Sequence, residues 1–291
     1  MSEKPKVLLQ FDCDQHPSVF DSIVAIDSGV DQLLPFGSVE PIDVRELVHG
    51  AMFTRGVDSL QRTAIFIGGS KVRSAEQVLR SVVDTFFGPV RVSVMLDANG
   101  ANTTAVAAAI CLQNHLQLEG KTVAVLAATG SVGRRVAEIV AAQGAQVRVA
   151  SRSLERAQSM CEKITTKNEQ LKLTPIETGG PKDFESLLNG CDAIVSAGAA
   201  SVRLLRQEQW RDLDHLQVAI DLNAIPPAGI EGIEVTAKGQ QVNGTHVYGA
   251  IGVGNLKMKI HKKSLQALFE QNDLVLDLNE IFEIGRQLKN S

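Results

Sequence analysis

The 291-residue chain has four cysteines, and none of them stands near another. Cys13, Cys111, Cys161 and Cys191 form no CxxC pair and accompany no paired-histidine spacing. That pattern argues against a disulfide framework or a zinc site and suits reduced thiols in the cytoplasm. A basic surplus is also missing: 29 Lys and Arg stand against 33 Asp and Glu, a net charge of −4, where a nucleic-acid binder usually carries a positive excess. No apolar run approaches the roughly 18 residues of a spanning helix. The opening apolar stretch, Val7-Leu8-Leu9, is followed almost at once by Asp12 and Asp14, so no secretory signal is expected. Internal repeats, low-complexity tracts and long linkers are not seen. These absences leave a soluble cytoplasmic protein with no nucleic-acid or membrane partner, long enough for two domains of about 100–200 residues each.

What is present is alternation. Short apolar runs at residues 6–11, 63–67, 90–96, 122–127, 146–150, 193–196 and 218–221 read as strands. Between them lie helix-length segments, among them 17–26, 74–87, 99–116, 132–142 and 154–163. A Gly-rich stretch at 249–254 leads into an expected helix over 255–270, and a last helix covers 278–288. The order predicts two α/β domains meeting near residue 100. Residues 1–100, joined by the returning segment 271–291, form one; residues 101–270 form the other.

The second domain carries the most specific local signal. The segment from Lys121 to Ser153 is a complete strand–helix–strand unit around Ala128-Thr129-Gly130-Ser131-Val132-Gly133. This is a G-x-G-x-x-G phosphate loop with Ala in the first place. Gly130 lets backbone approach a pyrophosphate, Gly133 lets the helix sit close on the strand, and the helix-start N–H groups face the anion. An ordinary glycine-bearing turn is the bland alternative. The context favours a Rossmann-type parallel sheet, with Thr129, Gly130, Ser131, Val132 and Gly133 at a nicotinamide dinucleotide.

An acid about 20 residues on would favour NAD. Here the second strand ends Ser151-Arg152, and a hydroxyl with a guanidinium suits the 2′-phosphate of NADP. Arg156 adds to that patch, NAD remaining the weaker alternative. Ala197-Gly198 and Asn223 follow later strands and are expected near the nicotinamide ribose, unless they are simply tight loops. Asp12, Asp14 and His16 read as a turn rather than a metal site.

Several strings in order then resemble a known family: Gln10-FDCDQHPSVFD, Phe53-TRG, Thr63-AIFIGG, Phe86-FGPVRVSVMLDANGANTTA, Ala127-ATGSVG, Asp221-LNAIPPAGI and Gly249-AIGVGNLKMKIH. The whole chain resembles the bacterial NADP-dependent methylene-tetrahydromethanopterin dehydrogenases, relatives of the methylenetetrahydrofolate dehydrogenases. Ala128 departs from that pattern, which has Gly there, and can loosen the turn without abolishing it. The resemblance implies hydride transfer from the methylene bridge of a reduced pterin C1 carrier to NADP. It also implies a substrate domain at the N-terminus, a cleft between the domains and a homotrimer.

Lys257 and His261 stand at i and i+4 on one helical face. Alone they read as a solvated basic face; with the resemblance they become the catalytic-site candidates. The product of the oxidation is a cationic amidinium, so no general base is required, and a full positive charge beside the carbon would oppose it. The pair is therefore expected to orient polar atoms of the pterin. Phe20 is expected to offer an aromatic face, though it also suits a core. Asn99, Asn102 and Thr104 are expected to hydrogen-bond the heterocycle, or alternatively to cap the helix they begin. A folate-only dehydrogenase, a shikimate-type two-domain enzyme and a non-catalytic NADP sensor are the competing readings.

Overall fold

The computed structural model describes residues 4–166, 168–179 and 181–290. It divides into two units, one running to Thr103 and resuming at Met258, the other spanning Thr104–Lys257. The first unit contains β1 (Val7–Asp12), α1 (Val19–Asp27), β2 (Gln32–Phe36), α2 (Val44–Phe53), β3 (Thr63–Gly68), α3 (Val72–Thr85) and β4 (Ser93–Leu96). α4 (Ala101–Gln113) leads out of it.

The second unit holds β5 (Thr122–Leu126), α5 (Ser131–Ala142), β6 (Gln146–Ser151), α6 (Leu154–Thr165), β7 (Lys172–Glu177) and α7 (Pro181–Leu188). It continues through β8 (Ala193–Ser196), β9 (Val218–Asp221), β10 (Lys238–Val242) and β11 (Thr245–Tyr248). α8 (Ala250–Ala267) then leads back to β12 (Val275–Leu276) and α9 (Leu278–Asn290) in the first unit.

In the first unit the strands lie in the order β12-β4-β3-β1-β2, and every pairing is parallel. Read from the other edge this is 2-1-3-4-5, a doubly wound sheet whose winding reverses between β1 and β3. β3 is buried along its length because such a sheet is covered on both faces, which is why its sequence is continuously apolar. Phe11, Ile65, Ile67, Val94 and Leu96 anchor that core with Val78 and Val82 of α3. Each fully buried side chain of this size is worth about 1.5–3 kcal/mol.

The second unit's order is β10-β11-β9-β8-β5-β6-β7. From β7 inward this is 3-2-1-4-5, extended by β11 and by β10, the one antiparallel strand. The reversal falls between β5 and β8, and ligands of such sheets bind outside the carboxyl ends at that point. Trp210 is fully buried beneath this sheet, its indole N–H donating to the Glu231 carbonyl at 2.9 Å. Among the described residues no helix is long and apolar enough to cross a membrane.

Three expectations need correction. The segment 258–270 belongs with the first unit, not the second: the division falls inside α8, an unbroken helix whose sequence gives no signal there. The glycines at 249–254 are not a lead-in loop, for α8 starts at Ala250. A side chain at Gly249 or Gly252 would strike backbone of residues 234–237, so small residues let this helix start close against that segment. The helix expected over 99–116 begins at Ala101, because Asn99 (φ 54°, ψ 23°) and Gly100 (φ 59°) sit in the left-handed region within a short 3-10 turn over Ala98–Gly100.

Candidate functional site

In the second unit the chain leaves β5 and turns at Ala127, whose φ is +51°. The left-handed strain thus falls on Ala127, while Ala128 is fully buried and donates its N–H to the Ala150 carbonyl of β6 at 2.9 Å. The Ala128 departure therefore occupies a position that the fold fills with a methyl group. Gly130 is the N-cap of α5 in extended conformation, and no side chain caps the helix. The first-turn N–H groups thus have no side-chain cap, the state in which a helix start can receive an anion.

The two loop glycines do different work. A Cβ on Gly133 would lie 2.8 Å from the Ala128 Cα and 2.9 Å from the Ala127 carbonyl oxygen, both backbone atoms. A Cβ on Gly130 would meet the Ala127 oxygen at 3.4 Å and the Ala197 oxygen at 3.9 Å, ordinary contacts. Protein packing requires a glycine at Gly133 and leaves room for a methyl group at Gly130.

At the end of β6, Ser151 is buried and Arg152 exposed. The Ser151 hydroxyl accepts the Ser153 N–H at 3.3 Å and lies 3.4 Å from the Thr129 hydroxyl, tying the two loop tips together. Ser153 caps α6 by accepting the Arg156 N–H, which puts Arg156 in the exposed first turn. No carboxylate ends β6. Ala197 donates its N–H to the Leu126 carbonyl, and Gly198 follows it against Leu204.

After β9 the side chain of Asn223 is committed within its own loop, donating to the Pro227 carbonyl and accepting the Ile225 N–H, each at 3.1 Å. Asp221, not anticipated from the sequence, organises this loop by accepting the N–H groups of Asn223 and Ile230. Burial pushes its carboxyl up from the usual range, against those donors. All eleven dinucleotide candidates thus follow the carboxyl ends of β5, β6, β8 and β9, and the uncapped helix start and open Gly130 fit a pyrophosphate.

The first unit gathers a second cluster, also at carboxyl ends. Asp97 follows β4 and is 1% exposed. Its Oδ1 accepts the Thr103 N–H at 3.0 Å, and its Oδ2 accepts the Thr103 hydroxyl at 2.6 Å. The same Oδ2 lies 3.2 Å from Nδ1 of His261, which is fully buried. The imidazole is flanked by Phe66 (centroids 5.7 Å apart) and, edge-on, by Phe20 (6.5 Å). Phe20 itself is 51% exposed, whereas His261 is fully buried.

Asn102 is buried and donates to the Leu96 carbonyl (2.7 Å) and to Asp277 (2.9 Å), so it holds the unit's own backbone. Asn99 is exposed in its left-handed turn. Thr104, half-buried, opens the second unit, and Lys257, half-buried, closes it one helical turn before His261 on α8. Asp12 accepts the N–H groups of Asp14 and Ser18, so it serves the turn that precedes α1. Among the described residues no group of three or more His, Cys, Asp or Glu is placed to hold a metal.

A doubly wound sheet of this order, with this loop and an uncapped helix at its reversal, is the dinucleotide domain of an NAD(P)-dependent oxidoreductase. Residues 127–271 match the NAD(P)H-binding family, and residues 19–99 match the family described as methylene-tetrahydromethanopterin dehydrogenase, N-terminal. "Bifunctional protein MdtA" of Methylorubrum extorquens is 39% identical over 285 residues, covering 97% of this chain and 99% of that one. The "NAD(P)-dependent methylenetetrahydromethanopterin dehydrogenase" of the same organism is 30% identical over 283 residues, covering 94% and 95%. The chain belongs to the methylene-tetrahydromethanopterin dehydrogenase family, as its motifs implied. Shikimate 5-dehydrogenase from Listeria monocytogenes, solved with shikimate and NAD, shares the fold alone: 12% identity, TM-score 0.52, 96% of each chain covered.

Proposed function

We propose that this protein oxidises methylene-tetrahydromethanopterin to its methenyl form with NADP, in the cytoplasm. The observation that carries this is the near full-length likeness to a dehydrogenase named for that carrier, spanning both units. NADP, when bound, accepts the hydride. The chain's part is to hold and orient. The N–H groups of Gly130, Ser131, Val132 and Gly133, with the Thr129 hydroxyl, take the pyrophosphate. Ser151, Arg152 and Arg156 take the 2′-phosphate. Ala197, Gly198 and the Asp221-organised loop at Asn223 line the nicotinamide ribose.

On the carrier's side Phe20 offers its exposed ring to the flat heterocycle. Lys257 and His261 orient its polar atoms, and Asn99 and Thr104 add small polar contacts. Asn102 is left to its backbone role. No group removes a proton from carbon, because the carrier's ring nitrogens supply the electrons and the product is a cation. Catalysis rests on placement.

Following NADPH absorbance with methylene-tetrahydromethanopterin and methylene-tetrahydrofolate in parallel tests this directly. Turnover with the first is expected; its absence with both removes the enzyme reading. Lys257→Met is expected to lower kcat/KM for the carrier about tenfold or more, the scale of a lost charge-assisted hydrogen bond. Unchanged kcat/KM would take Lys257 out of the site.

The protein is further proposed to be a homotrimer. α1 exposes Val19 (70%), Ile23 (57%) and Ile26 (51%) along one stripe, an apolar face suited to a second copy. Sedimentation equilibrium should return three times the 31.3 kDa chain mass; a monomer would refute the assembly.

A further inference from the structure

We propose that Asp97 is a positioning residue of the C1-carrier site, holding the His261 imidazole in the tautomer that keeps its proton on Nδ1. This rests on the reading of His261 as a group that orients the carrier.

Asp97 does more than begin a helix. Accepting the Thr103 N–H is the ordinary task of a residue ahead of α4, and Asn, Ser or Thr would perform it. A buried carboxylate is a costly way to do so, since desolvation penalises the charge. The second oxygen explains it: Oδ2 takes the Thr103 hydroxyl and faces Nδ1 of His261 on α8, far along the chain. A carboxylate only accepts, so Nδ1 must carry a proton to bond it. In the neutral ring Nε2 then holds the lone pair.

The ring plane is set as well. Phe66 lies at 33° to the imidazole and Phe20 at 79°, one face-inclined and one edge-on. The β4 end that carries Asp97 is in turn tied to β3 by its own N–H, which donates to the Ile67 carbonyl at 3.1 Å. The rigid sheet, the carboxylate and the imidazole thus form one chain of support.

The chemical consequence is selectivity. A neutral imidazole with Nε2 as acceptor receives an N–H of the carrier, and reduced pterins offer such donors on the heterocycle. The opposite tautomer would present a donor and be mismatched to the same atom. A neutral ring also avoids adding positive charge beside a carbon that becomes cationic.

Asp97→Asn separates the two duties of the carboxylate. The amide oxygen can still accept the Thr103 N–H, but its NH2 then faces the Thr103 oxygen and His261 Nδ1. Nδ1 must become the acceptor, and the proton moves to Nε2. In mildly alkaline buffer, imidazole 15N shifts of the wild-type protein should place the His261 proton on Nδ1, and those of Asp97→Asn on Nε2. KM for methylene-tetrahydromethanopterin should rise on the order of tenfold or more, with KM for NADP unchanged. His261→Asn should raise the same KM, and adding Asp97→Asn to it should bring little further loss.

A wild-type ring protonated on Nε2 alone overturns the proposal without any variant. So does an Asp97→Asn enzyme with wild-type KM and tautomer beside a damaged His261→Asn; in that case the reading of His261 stands. If His261→Asn leaves the carrier's KM untouched, both fall.

Discussion

Gly130→Ala and Gly133→Ala are both expected to lose NADP affinity, but only Gly133→Ala is expected to lose stability. At Gly133 the added carbon meets the Ala128 Cα at 2.8 Å and the Ala127 oxygen at 2.9 Å. Backbone of a buried turn cannot swing aside, so α5 must lift from β5. Overpacking of this kind costs about 1–3 kcal/mol, and it also displaces the amides proposed to bind the pyrophosphate. A fall in melting temperature together with loss of NADP binding is the outcome.

Gly130 has φ −75° and ψ 169°, a conformation any residue adopts, and its nearest contact would be 3.4 Å. Gly130→Ala should melt within about 0.5 kcal/mol of wild type, the range of a harmless surface change, yet bind NADP poorly because the methyl group stands where the anion must approach. Thermal melts beside NADP fluorescence titrations check both. Equal stability losses in the two variants, or wild-type affinity in Gly130→Ala, would break the assignment of the loop.

Arg152→Ala should change which cofactor the enzyme prefers. A guanidinium on a phosphate forms charge-assisted bonds worth about 1.5–3 kcal/mol, which corresponds to roughly 10- to 100-fold in kcat/KM. That loss should fall on NADP alone, because NAD has no 2′-phosphate for Arg152 to hold. Arg156→Ala should produce the same selective loss at smaller amplitude, since Arg156 sits beyond the Ser153 cap rather than on the strand tip. Initial rates with both dinucleotides decide the matter; a proportional decline with NAD would show that Arg152 supports the loop instead of reading the phosphate.

The geometry of the loop between β5 and α5 was legible because it is local. Strand, glycines, helix and second strand follow one another within a single winding unit, so spacing alone assembled Thr129–Gly133 beside Ser151 and Arg152. Asp97 was opaque for the converse reason. Its meaning comes from His261, which no periodicity connects to it, and from Thr103, which a reader counts as helix. Asn102 resembled a ligand because a polar residue at a helix start is ambiguous until its acceptors, Leu96 and Asp277, are known.

The same distinction governs the fold. Strands buried on both faces announce themselves as apolar runs, as β3 and β5 do. β2 and β7 lie at sheet edges, half-exposed, and carry no such run. The β10–β11 hairpin left a trace in Asn243-Gly244, whose φ values of 48° and 85° make the two-residue turn that this dipeptide favours.

Those edges carry one more implication. β2 has Pro35 and β7 has Pro175 in mid-strand, each lacking an N–H to offer. β12 is two residues long, and the register of β10 slips between Lys238 and Gln240. No rim of either described sheet presents an even ladder to a foreign strand. Native molecules crowded together therefore have no ready template for cross-molecular β-growth, and β-fibrils of this protein are expected to start from chains that have first come apart.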